Sequence, residues 1–342
     1  MFFDVPDHFG NSLATLPSTL FRMNRISDRF NDLRARDRSA LIPFVTAGDP
    51  SREATVPVMH ALVAAGADLI ELGVPFSDPM ADGPVIQHAD ERALRRHVGI
   101  ADILGWVRGF RERDTDTPIV LMGYLNPIEQ YRSARQPHPG VAGARRARHM
   151  SGLGFDESAA FAAAADSRSG RPWPDPHRPS FDAAFGIERF AREAAEAGVD
   201  GVLVVDCPIE EDATLRPLRD AGLQRILLAA PTTSDERLAR AIEVAEGYLY
   251  YVSFAGITGA AKLSTGDIAQ RVADLRARAA VPVAVGFGIK DAASAKAVAA
   301  FADAVVIGSA LVGTLAEAAT LEDACRRARD FLTPIRTALD GR

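Results

Sequence analysis

Glu71 stands inside the apolar run DLIELG (68–73), between Ile70 and Leu72, and Asp78 and Asp82 follow it in the loop GVPFSDPMADGP. A carboxyl flanked by aliphatic neighbours is partly desolvated, which raises its pKa towards neutrality and equips it to give and take a proton. The same position equally suits a structural ion pair with an Arg or Lys of the fold. Pro75, Pro79, Pro84 and Gly83 restrict the backbone of the loop that carries the other two acids. A second chemistry lies late in the chain, where SFAGITGA (253–260), GFGI (286–289) and IGSAL (307–311) offer backbone N–H groups with no side chain in the way. Such amides at a helix start can hold a phosphate, although each glycine pair alone also serves as a tight turn.

Other constellations are absent from the sequence. There is no GKS or GKT loop and no HExxH, and the histidines at 8, 60, 88, 97, 138, 149 and 177 lack ligand spacing, so no metal is expected. No lysine falls inside a strand-like run where a Schiff base would form, and Lys262 and Lys290, in loops, are expected to be solvated. Ser77 and Ser309 have no His near them in sequence. What remains is carboxylate-driven proton transfer on a phosphorylated small molecule.

The elements that must position these groups recur along the chain. Eight short apolar runs can be read: LIPFVT (41–46), DLIELG (68–73), PIVLMGY (118–124), GVLVVD (201–206), RILLAA (225–230), YLYYVS (248–253), VPVAVG (281–286) and DAVVIGS (303–309). Their near-continuous apolarity is what strands of a parallel sheet covered on both faces require. Segments of helical period lie between them, such as EATVPVMHALVAAG (53–66), IERFAREAAEAG (187–198) and DAASAKAVAAF (291–301). Several end in a glycine able to take the left-handed conformation before the next strand: AAGADLIE, EAGVDGVLV and DAGLQRILL. This is a repeated βα unit, and eight of them predict a single-domain α/β fold, the (β/α)8 TIM barrel, over residues 23–342. An open doubly wound sheet is the alternative, but no GxGxxG follows an early strand. In a barrel the site lies at the C-terminal strand ends, with phosphate commonly held after strands seven and eight, which is where GFGI and IGSAL fall.

Two segments stand outside this pattern. Residues 132–185, rich in Arg, Pro, Gly, Ala and Ser with one Leu, one Val and no Ile, read as a low-order insertion after the third strand. A short Ala-rich helix near Glu157–Ala165 is its one expected element, and Arg145, Arg146 and Arg148 read as a solvated loop rather than a nucleic-acid patch. Residues 1–22 have no basic n-region, and Asp4, Pro6 and Asp7 interrupt the apolar stretch, so they read as an N-terminal extension or a start-site artefact rather than a secretory signal. The 342 residues carry 39 basic and 45 acidic side chains, a formal charge of -6, which disfavours nucleic acid and anionic membranes as partners. No apolar run is long enough to span a bilayer. Two cysteines, Cys207 and Cys325, are too few for a disulfide framework, so the expected setting is the reducing cytoplasm.

PFVTAGDP (43–50), ELGVPFSDPMADGP (71–84), VLMGYLNPI (120–128), YLYYVSFAGITGA (248–260), GFGI (286–289) and IGSALV (307–312), in this order, resemble the tryptophan synthase α-subunit family. The long ELGxPFSDPxADGP segment is the specific part, since other phosphate-binding barrels share the glycine loops but not this one. The resemblance implies retro-aldol cleavage of indole-3-glycerol phosphate to indole and glyceraldehyde 3-phosphate, a carbon–carbon lyase reaction of tryptophan biosynthesis. It implies Glu71 as the acid/base at indole C3, Asp82 as acceptor of the indole N–H, and Tyr250 beside Glu71, assisting its position. It further implies Phe44 and Leu121 against the indole, Thr258 bonded to Asp82 on loop closure, and phosphate on the amides of Gly259, Gly288, Gly308 and Ser309. No cofactor is expected in this chain; a β subunit carrying pyridoxal phosphate is the expected partner, in an α2β2 heterotetramer. A barrel of the indole-glycerol-phosphate synthase or phosphoribosyl isomerase type would call for a strand-end lysine or another acid pair, and a purely regulatory subunit would have no need of two acids.

Overall fold

The computed structural model describes residues 24–131, 181–252, 265–286 and 288–341. The N-terminal extension, residues 132–180 with the expected helix near Glu157–Ala165, and the loop with Thr258 and Gly259 lie outside the described residues. Eight parallel strands close in sequence order into a barrel: β1 (Ala40–Thr46), β2 (Ile70–Gly73), β3 (Ile119–Gly123), β4 (Gly201–Val204), β5 (Gln224–Ala229), β6 (Leu249–Val252), β7 (Val283–Gly286) and β8 (Ala304–Ile307). Each coincides with one of the eight apolar runs. The helix before β4 runs Phe181–Ala197, so it begins earlier than the 187–198 pattern and takes in the last residues of the 132–185 segment.

Side chains alternate across each strand, and the alternation divides the core in two. Leu41, Ile70, Leu72, Ile119, Leu121, Val202, Tyr251 and Val305 belong to the layer between the strands and the surrounding helices. Ile42, Val120, Leu203, Ile226, Tyr248, Tyr250, Ala284 and Val306 belong to the barrel interior. Ile26, Phe30 and Leu33 of the N-terminal helix (Arg25–Ala35) join that interior cluster, and the Phe30 and Tyr248 rings lie 5.8 Å apart, so this helix closes the N-terminal mouth. Functional groups are thereby left to the opposite mouth.

The closed rim carries a repeated device. An acid just ahead of each even strand accepts a hydrogen bond from a main-chain N–H at the start of the preceding odd strand: Asp68 from Leu41 (2.8 Å), Asp200 from Ile119 (2.9 Å), Glu246 from Arg225 (3.0 Å) and Asp303 from Val283 (2.9 Å). Each also meets an arginine: Arg336 on Asp68, Arg25 and Arg111 on Asp200, Arg219 on Glu246 and Arg276 on Asp303. The glycines expected to end helices do so with positive φ, at Gly66, Gly198 and Gly222.

Candidate functional site

Glu71 projects inward from the middle of β2 and is fully buried. The Tyr248 hydroxyl donates to its Oε1 at 2.6 Å, while Oε2 is buried with no hydrogen-bond partner. Burial pushes the Glu71 pKa up to about 7, against the lowering effect of the Tyr248 hydrogen bond. No cation pairs with it among the described residues, so of the two readings of this position the ion pair is the one the geometry does not support. Near neutral pH such a group holds a proton and can also release it.

Tyr250, the residue expected beside Glu71, lies one inward position above Tyr248 on the same strand. It lines the same cavity as Glu71, but the hydrogen bond to the carboxyl belongs to Tyr248. Burial first, then the carboxylates of Glu71 and Asp82, hold the Tyr250 hydroxyl well above the usual phenol range, which places that hydroxyl within the field of both acids. Gly286 makes room for it, because a Cβ there would collide with the Tyr250 ring and hydroxyl.

Asp82 comes from the β2 loop and is half-buried. Tyr124, at the end of β3, donates its hydroxyl to Asp82 Oδ2 (2.8 Å) and accepts from the Ala81 N–H (3.0 Å), while Gln87 Nε2 donates to the Asp82 carbonyl (2.8 Å). Burial raises the Asp82 pKa and the Tyr124 hydrogen bond opposes that. Behind it, Asp90 is 4% exposed and its pKa is raised to about 8, first by burial and then by the charges of Asp82 and Asp49. Neither Tyr124 nor Asp90 was evident from the sequence: each becomes meaningful only when the loop folds back over β3 and β1.

The cavity at this mouth measures about 320 Å³, room for one small molecule. Glu71, Phe44, Met122 and Tyr250 form its floor and wall, and Gly288, Gly308, Ser309 and Ala310 its far side. Phe44 lies over Gly73, where a Cβ would meet the ring. Leu121, expected against the aromatic part of a ligand, is 1% exposed and packs outward under the helices; the inward residue of that strand that lines the cavity is Met122. The correction follows from the pleat: a one-residue step along a strand changes the face. On the far side, Gly308 is the N-cap of the helix Ser309–Ala316 with no side chain capping it. That leaves first-turn N–H groups and the positive end of the helix dipole facing the cavity. Gly288 has φ of +48° with open space where a Cβ would stand. Gly288, Gly308 and Ser309 are therefore brought together opposite Glu71, whereas Thr258 and Gly259 lie outside the described residues.

Comparisons with known proteins agree with this fold. The family model for the tryptophan synthase alpha chain matches residues 30–138 and 183–338. The tryptophan synthase alpha chain of Xylella fastidiosa (strain 9a5c) is 52% identical over 320 residues, covering 93% of this chain and 99% of that one. That of Xanthomonas oryzae pv. oryzae (strain MAFF 311018) is 51% identical with the same coverage. Among solved structures, tryptophan synthase subunit alpha from Legionella pneumophila str. Paris superposes with a TM-score of 0.73 at 38% identity, covering 94% of this chain and 100% of that one. An aminoacrylate-bound tryptophan synthase from M. tuberculosis gives 0.68 at 28% identity, covering 92% and 99%. With the family model matched over most of its length and a relative 52% identical across 93% of it, the chain belongs to the tryptophan synthase alpha chain family.

Proposed function

We propose that this chain cleaves indole-3-glycerol phosphate by a retro-aldol reaction, as a carbon–carbon lyase that releases indole and glyceraldehyde 3-phosphate. The observation that carries the reading is Glu71, a buried carboxyl whose pKa is pushed up to about 7, unpaired by any described cation and set across a small cavity from a helix start that no side chain caps. Indole is a poor carbon leaving group, so its bond to the side chain breaks only once the ring is protonated at C3 and the charge arising at N1 is stabilised. Protonated Glu71 delivers the proton to C3. As the C3–C1′ bond breaks, its electron pair returns to the ring, the C1′ hydroxyl loses its proton to the carboxylate, and C1′ becomes the aldehyde carbon. Asp82, oriented by Tyr124, accepts the indole N–H and offsets the positive charge there. The phosphoryl group sits on the amides of Gly288, Gly308 and Ser309, completed by Gly259, and Thr258 engages Asp82 when its loop closes.

Phe44, Met122 and Tyr250 exclude water around the ring, which strengthens both charge effects. No cofactor acts in this chain; the partner is a β subunit that carries pyridoxal phosphate and receives the indole, in a cytoplasmic α2β2 complex. A steady-state assay of indole release, with and without a tryptophan-forming β subunit, tests the reading. Release by the chain alone and stimulation by the partner are expected; β-subunit activation without any indole release would instead make the chain a regulatory subunit.

A further inference from the structure

Among the described residues, the cavity at the open mouth is lined by one acid and one cation. The acid is Glu71; the cation is Lys290, which stands on the far side with Gly288, Gly308, Ser309 and Ala310. The sequence places Lys290 in a loop, as an ordinary solvated lysine, and the fold gives that loop a direction. Ile289 is buried at 4% exposure and anchors it, and the Lys290 N–H donates to Ser294 Oγ at the start of the helix Ala292–Ala299. The adjacent acid in sequence, Asp291, feels the Lys290 charge but is engaged in its own helix cap: its Oδ1 accepts from the Ser294 N–H at 2.8 Å and from the Ser294 hydroxyl at 2.7 Å. Lys290 forms no ion pair among the described residues. An exposed lysine without an ion pair among the described residues, lining the cavity beside Gly288, Gly308 and Ser309, can bring a full positive charge to an anion bound there.

We propose that the Lys290 ammonium binds the phosphoryl group of the substrate directly, adding a charged contact to the amide cradle of Gly288, Gly308 and Ser309. This rests on the reading of the site as one for a phosphomonoester and says which side chain selects the dianion. Amides and a helix N-terminus bind an anion through partial charges; a full charge at the rim draws in the doubly ionised ester preferentially and makes its capture sensitive to salt. Because phosphoryl contact is the same before and after C3–C1′ cleavage, Lys290 contributes to binding and not to the chemical step.

The test compares wild type with Lys290→Gln, Lys290→Arg and the control Lys296→Gln, a lysine of the adjacent helix that donates to the Gly341 carbonyl. Two readouts are used: indole release from indole-3-glycerol phosphate at several salt concentrations, and calorimetric titration with inorganic phosphate. Lys290→Gln is expected to raise KM and the phosphate Kd each by about ten-fold, the scale of one charge-assisted hydrogen bond, with kcat held within about two-fold. Its KM should lose much of the salt dependence of wild type, Lys290→Arg should recover part of the affinity, and Lys296→Gln should match wild type. Wild-type KM and phosphate affinity in Lys290→Gln would overturn the proposal. If wild type bound phosphate more tightly than Lys290→Gln yet released no indole, the reaction assigned above would fail while the role of Lys290 stood.

Discussion

A carboxylic acid at the centre of a barrel strand has three possible fates: paired with a cation, exposed to water, or held neutral by burial. Glu71 moves towards the third, with its pKa pushed up to about 7, and among the described residues its hydrogen bond comes from a tyrosine that burial keeps protonated. The bond from Tyr248 favours the ionised form, so removing it raises the Glu71 pKa further above about 7. Since the acid form begins the reaction, turnover is expected to fall as pH rises through the Glu71 pKa. In Tyr248→Phe that fall should move to higher pH; an unmoved profile would separate Tyr248 from the proton transfer. The strand pleat gives a second contrast. Leu121→Ala empties space under the helices and should cost about 2–5 kcal/mol of stability with KM little changed. Met122→Ala should raise KM several-fold with a smaller loss of stability, and denaturant midpoints set beside kinetics distinguish the two. Glu71 was legible in the sequence because an acid interrupts an apolar run. Met122 and Tyr248 were not, because in strands apolar on both faces nothing in the local pattern marks which residues point inward.

At the level of elements, the eight strands were readable from apolar runs, and three of the helix ends from glycines that indeed take positive φ. The acid caps of the closed rim were less visible. GADL, GVDG and FADA each set an aspartate just before a strand, but that the carboxyl reaches across to a neighbouring strand is a fact of barrel stagger, not of local sequence. Asp200 binds most firmly, with Arg25, Arg111 and the Ile119 N–H on one buried carboxylate. Removing one partner from a buried ion pair leaves the other charge uncompensated, so Asp200→Ala is expected to lose about 3–5 kcal/mol in urea unfolding. Its kcat should persist wherever the barrel stays folded, because the rim lies at the mouth opposite the cavity. A loss below 1 kcal/mol would mean that the rim acids are ornamental to stability.

For the whole molecule, the N-terminal helix closes one mouth and leaves the other open to the cavity. The family model matches residues 30–138 and 183–338 and passes over the stretch between them. The 132–185 segment was set apart in the sequence by its composition alone. Excising residues 132–180 is expected to leave both indole release and its stimulation by a β subunit within about two-fold, since the family model passes over most of that stretch. A large gain or loss of stimulation would make the segment part of the docking surface. The site itself depends on closure of the ring, which carries a β2 acid and the amides after β7 and β8 to opposite sides of one cavity. Glu71→Gln nearly keeps the shape of that cavity and replaces the titratable carboxyl with an amide that cannot give and take the proton. Indole release measured in this variant, alongside its affinity for inorganic phosphate, tests the assignment most directly. The account predicts turnover lowered by about 10³-fold or more with phosphate affinity nearly unchanged; turnover equal to wild type would contradict it.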